Sequence, residues 1–182
     1  MNEHFACECG PHDGSLTQAQ MNRAETCTQL VNRWLTATVA ADPSSWSTSP
    51  RWIAARDAIT SWLDNAPSGH DGVVRMIGLV MLLSWRCAAA LPASTRNKST
   101  RNNFWYIDSG GVKIDETAVE MLAFRLTVAR ANGDGDGAQA LLMGFLGCVA
   151  GTEVDVTAII NVLIDLFAEQ THIYLALHEG RL

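Results

Sequence analysis

Apolar positions recur along this chain at helical spacing, and in three stretches they fill nearly the whole circumference of a helix. The first runs from Val73 to Trp85, interrupted only by Arg75, Gly78 and Ser84; the second spans Ala138 to Ala150, the third Val154 to Phe167. A helix that is apolar on every side has to be covered, by the rest of a core, by another subunit or by lipid.

The flanking segments are amphipathic in the ordinary way. Ser15-Leu16-Thr17-Gln18 reads as an S-x-x-Q capping box, and Ala24, Cys27, Leu30, Val31, Trp34, Leu35 and Thr38 then follow the rhythm of one buried helix face. That helix is expected to stop near Asp42-Pro43. Ser49-Pro50 opens a second, with serine as the cap and proline where its missing N–H costs nothing; Trp52, Ala55, Ile59, Trp62 and Leu63 form its stripe, and Asn65 to Gly69 ends it. The apolar third helix is placed at about Asp71 to Leu91, before Pro92. The fourth runs from about Asp115 to Ala131, with Glu116 and Glu120 early and Arg125 and Arg130 late, matching the helix dipole. The link Gly133–Gly137 leads to a short fifth helix, and Thr152 and Asp155 cap the sixth.

Between helices 3 and 4 the helical pattern breaks. Phe104 to Ile114, turning at Gly110-Gly111, predicts two short strands, and so small a hairpin is expected to lie against the helices. The expected fold is therefore all-α: about six helices in a single-domain bundle over residues 15–182, with a small β-hairpin inserted between helices 3 and 4. Residues 1–14, broken by Gly10-Pro11 and Asp13-Gly14, read as an irregular or disordered head.

A net charge of −6 argues against wholesale binding to a phosphate backbone, which needs a clustered positive field. Five cysteines, an odd number, and no basic-then-apolar leader at Met1 to Glu8 point to a reducing, cytoplasmic setting. Arg75 and Arg86 leave an uncharged run of only about ten residues in helix 3, short of the roughly 20 that a membrane span needs, so no span is expected. Six tryptophans, all within residues 34–105, suit a core and an interface equally well.

Several clusters carry the side chains of chemistry without its spacing. His4, Cys7, Cys9 and His12 are zinc-ligand types, but H-x2-C-x-C-x2-H lacks the two separated pairs that close a tetrahedron, so zinc is a minor alternative and no cofactor is expected. Asn132, Asp134, Asp136 and Gly137 match the first half of a calcium loop, yet the position of its bidentate glutamate holds Met143; a solvated turn is the reading preferred. Asn161, Asp165, Glu169 and His172 line one side of helix 6, where Glu169 and His172 make a lone E-x-x-H without the second copy a di-iron centre requires. A solvent-facing stripe accounts for it. Cys87 and Cys148 sit in apolar sequence that favours inert thiols. No nucleophile elbow or phosphate loop is present, and no catalytic residue is assigned.

The candidate partner-binding segment is Arg96, Lys98 and Arg101 followed by Phe104, Trp105 and Tyr106. Arginine, tryptophan and tyrosine are frequent hot-spot residues at protein interfaces, and the same set can contact phosphates and stack on bases. The expectation is a non-enzymatic helical interaction protein, of the kind mobile elements and accessory bacterial or phage loci encode. It is expected to self-associate as a homodimer, through helix 6 or helix 3 near Leu163 or Leu79. A nucleic-acid-binding regulator using residues 96–106 is the first alternative; a zinc-stabilised or metal-dependent protein built on the N-terminal cluster is the second.

Overall fold

A computed structural model describes residues 17–91, 118–150 and 155–180. They form six α-helices and one 3₁₀ turn: α1 (Gln18–Val39), the 3₁₀ turn Pro43–Ser45, α2 (Pro50–Asp64), α3 (Gly69–Ala90), α4 (Ala118–Ala131), α5 (Gly135–Ala150) and α6 (Val156–His178). The fold is all-α. No strand occurs among the described residues; the hairpin expected at 104–114 lies outside them, as does the head at 1–14.

The helix starts follow local side-chain chemistry. The α1 capping box is Thr17 with Gln20, two residues later than Ser15 with Gln18: the Thr17 hydroxyl accepts from Gln20 N–H, and the Gln20 side chain accepts from Thr17 N–H at 2.8 Å. The motif occurs twice, offset by two residues, and Ser15 lies outside the described residues. Ser49 caps α2 with Pro50 in the first turn, as its sequence requires. Ser68 caps α3, extending it two residues ahead of Asp71, and Asp155 caps α6 by accepting from Thr157 and Ala158 N–H.

The Gly133–Gly137 link is tighter than a loop. Gly133 takes φ +75°, a left-handed conformation that ends α4. Asp134 Oδ1 then accepts from Gly137 N–H at 2.8 Å, so α5 begins within the glycine run. A Cβ on residue 137 would fall 2.1 Å from the Asp134 carboxylate, so any other residue there would push that carboxylate out of this position.

Helix α3 is the axis of the bundle. It packs most extensively on α6, and also on α4, α1 and α2. Between Asp71 and Leu91 only Trp85 and Ala89 are exposed. Met76, Leu79, Val80 and Leu83 meet Leu163, Leu166 and Phe167 of α6, with Val31 and Leu35 of α1 and Leu122 and Leu126 of α4, in one continuous core. Each such leucine contributes about 1.5–3 kcal/mol on leaving water. Leu79 and Leu163 are both fully buried here, so they belong to the core and not to the partner contact expected of them.

Five of the tryptophans are described, and three form an aromatic wedge. Trp34 of α1 lies 5.2 Å from Trp52 of α2 and 5.6 Å from Phe167 of α6, and Trp46 stacks on Trp52 at 5.9 Å. The Trp34 indole N–H donates to the buried Thr171 hydroxyl at 3.0 Å, satisfying the one polar atom the ring carries inward. The arginines of α3 hold its neighbours. Arg75 lies 5.1 Å over the Trp62 ring and donates to the Trp62 carbonyl, and Arg86 donates to Asn32 Oδ1 at 2.6 Å. By length and composition alone α3 and α6 are each apolar enough to cross a membrane; here they are each other's main packing partner.

Candidate functional site

Helix α5 is the apolar helix that the bundle covers least. Its inner stripe, Ala138, Leu142 and Leu146, is buried, at 0 %, 1 % and 5 % exposure. Its outer side faces water with equally apolar residues: Ala140, Leu141, Met143, Gly144, Gly147 and Cys148 are all exposed, Met143 at 50 %. No atom lies within 4 Å of where a Cβ would stand on Gly144 or Gly147. The outer face is thus a strip of small residues flanked by Leu141 on one side and Met143 on the other. No charge occurs from Gly137 to Ala150.

On the Met143 side, a groove of about 480 Å³ lies between α5, α1 and α3, with Arg130 of α4 in its lining. Its walls are Val74, Ile77, Met81 and Leu82 of α3 with Leu142 and Met143 of α5. Gly78 lies on its floor, where a Cβ would come within 3.1 Å of Cys27 Sγ. Ala24, expected in the core of α1, instead lines this groove and is exposed. Arg23, Arg130, Gln20 and Gln139 supply most of the polar lining, and no carboxylate is among the described lining residues. A second cleft, between α1 and α2, is lined by Asn32, Arg33, Thr36, Ala37, Pro50, Arg51 and Ala54, and lacks large apolar side chains.

The thiols divide sharply. Burial pushes Cys27 from its ordinary value of 9.0 to about 11, partly offset by the nearby charges of Arg23 and Arg75. Burial also raises Cys87 to about 12, against hydrogen bonding that favours the thiolate; its Sγ lies 3.2 Å from the Gln170 carbonyl, to which it donates. Cys148, expected to be buried, is exposed on the outer face of α5. In dilute protein near pH 8, brief iodoacetamide treatment is therefore expected to modify Cys148 and spare Cys27 and Cys87, as read by peptide mass mapping. Equal labelling of the three would mean that the core opens on that timescale. The raised values also set a pH dependence. Both groups are neutral thiols when folded, so their contribution is intact below about pH 9 and is lost as pH rises towards 11 and 12. Replacing both by alanine should flatten that part of the alkaline decline in the urea midpoint.

The residues singled out in the sequence are distributed unevenly. Arg96, Lys98, Arg101, Phe104, Trp105 and Tyr106 lie outside the described residues, as do His4, Cys7, Cys9 and His12. Among the described residues no group of three or more histidine, cysteine or acidic side chains converges as a metal site. On α6, Asn161, Asp165 and His172 are exposed and Glu169 is half-buried, which makes the stripe solvent-facing; His172 Nδ1 stands 3.7 Å from Glu169 Oε2. The groove and the outer face of α5 were not picked out as sites. The all-round apolarity of residues 138–150 was their one visible signal. The presence of Arg23 and Arg130 in one groove had none, because the two belong to different helices distant in sequence.

No protein-family model matches this sequence, and no curated protein or solved structure is significantly similar to it.

Proposed function

We propose that this chain is a non-enzymatic helical interaction protein whose partner is a second copy of itself, docked through the outer face of α5. The exposed, charge-free strip of Ala140, Gly144 and Gly147 between Leu141 and Met143 carries this reading. Two such strips are self-complementary. Small residues let the helix backbones approach, the flanking larger side chains pack beside them, and a two-fold axis closes the contact with no surface left over. In a chain of net charge −6, a face without charge is also where two copies meet with least repulsion. Helices α3 and α6 serve in this reading as core helices: they bury Leu79 and Leu83 against Leu163 and Leu166, and Arg75 and Arg86 tie α3 to α2 and α1.

The size of the face sets the strength. A 16-residue helix is about 24 Å long, so one helix pair falls at the small end of interfaces, well below the roughly 800 Å² per partner of a standard complex. The expected association is therefore reversible, in the micromolar range. Light scattering from about 1 to 100 µM should show the mass rising from 19.7 kDa towards twice that value, with Cys148 alkylation slowing in parallel. Gly144→Glu has open space for its side chain and improves helix propensity, so it should stay folded and remain monomeric throughout. A wild-type monomer at 100 µM, or dimerisation unchanged in Gly144→Glu, would overturn the proposal. So would a wild-type protein that floats with lipid vesicles while Gly144→Glu does not, which would make lipid the occupant of this face.

A further inference from the structure

We propose that the groove between α1, α3 and α5 binds a single-chain amphiphile with a carboxylate head, a long-chain fatty carboxylate in monomeric form. The site adjoins the outer face of α5, with Met143 common to both, and the inference does not rest on self-association.

Charge complementarity selects the ligand. The chain carries 19 acidic and 13 basic residues, yet the described lining of this groove holds two arginines and no acid. Neither Arg23 nor Arg130 forms an ion pair with a carboxylate among the described residues. Arg130 Nε is buried without a hydrogen-bond partner there, and its Nη1 lies 3.0 Å from the place a Cβ would take on Gly135. A guanidinium whose N–H is withdrawn from water and left unpaired is a strong donor awaiting an acceptor. Gln20 and Gln139, also in the lining, add amide donors. Asp134, four residues from Arg130, accepts from Gly137 N–H in capping α5, and Glu25, two residues from Arg23, accepts from the Gln29 side chain.

The rest of the groove is aliphatic. Val74, Ile77, Met81 and Leu82 form one wall, and Leu142 and Met143 the other. Methionine at two positions gives walls that adapt to a flexible chain. The volume of about 480 Å³ lies within the range of small-molecule sites. A basic, acid-free lining on an adaptable aliphatic trough matches a fatty carboxylate, which has one anionic head, one apolar tail and no polar group between them. The thiol of Cys27 on the floor stays protonated, so it adds no competing negative charge.

The experiment is calorimetric titration of the full chain with sodium dodecanoate below its micelle concentration. Dodecyltrimethylammonium, with the same tail and the opposite head, is titrated alongside. One-to-one binding of dodecanoate is expected, at least tenfold tighter than the cation. Arg23→Gln with Arg130→Gln should weaken dodecanoate about tenfold or more, abolish the preference for the anionic head, and leave the circular dichroism spectrum unchanged. Gly144→Glu should bind dodecanoate as the wild type does, which separates this result from that of the dimer test. Equal affinity for both heads, or an unchanged affinity in the double variant, would overturn the proposal. Binding only to vesicles of anionic phospholipid, or only to an acidic amphipathic peptide, with none to dodecanoate, would overturn it as well.

Discussion

Leu163→Ala is expected to lower the unfolding free energy by about 2–5 kcal/mol, the cost of a buried leucine truncated without collapse of its surroundings. Leu163 is fully buried on α6, in the cluster that joins α6 to α3 and α4. Both terms of the loss apply there: the transfer energy of the deleted methyl groups and a cavity between helices that cannot close without moving α3, the axis of the bundle. A domain of this kind has a total stability of about 5–15 kcal/mol, so the variant should unfold at a distinctly lower urea concentration. Leu163→Asp, which places an unpaired charge in the same position, should lose the cooperative transition altogether. The neighbouring residue is the control. Ile164 is 47 % exposed, and Ile164→Ala should stay within about 0.5 kcal/mol of the wild type, as surface changes usually do. A loss below about 1 kcal/mol at Leu163 would mean that this side of α6 faces outward.

A change on the same helix should act in the opposite direction. Gln170→Met is expected to stabilise the protein by about 1–3 kcal/mol, the penalty of leaving a buried polar group unpaired. Gln170 is completely buried, and neither its amide nitrogen nor its amide oxygen has a hydrogen-bond partner among the described residues. Only its main chain is engaged, the carbonyl accepting from the Cys87 thiol across the α3–α6 interface. Methionine is close to glutamine in length and flexibility, so it fills the same space without the desolvated amide. The backbone contact with Cys87 is unaffected. The measurement is the shift in urea midpoint at constant slope. Destabilisation instead would show that the amide has a hydrogen-bonding role.

The sequence pattern distinguishes apolar from polar positions, and it gives the Asn161–His172 stripe as solvent-facing, whereas Leu163, expected at a partner contact, is buried in the core. The pattern carries no information on which of several apolar helices is enclosed. Residues 73–85 and 138–150 read alike, yet α3 is surrounded by four neighbours while α5 packs on α4 and α6 and shows water a whole apolar side. The difference comes from the order of packing. One small bundle has a single central position, and α3 takes it.

What the sequence determined by itself was local. Ser49-Pro50 and Asp155 set helix starts, because caps satisfy amide groups within a few residues. The glycines at 133–137 set a turn, since glycine adopts the left-handed conformation at Gly133 without strain and leaves room for the Asp134 carboxylate beside Gly137. The tertiary structure alone decided that the Trp34 indole finds Thr171, that the Gln170 side chain is buried with no hydrogen-bond partner among the described residues, and that Arg23 and Arg130 line one aliphatic groove. Each of these depends on contacts between segments far apart in the chain. Helical periodicity fixes the direction of a side chain about its own axis, whereas the neighbour it meets is fixed by how whole helices share a limited interior.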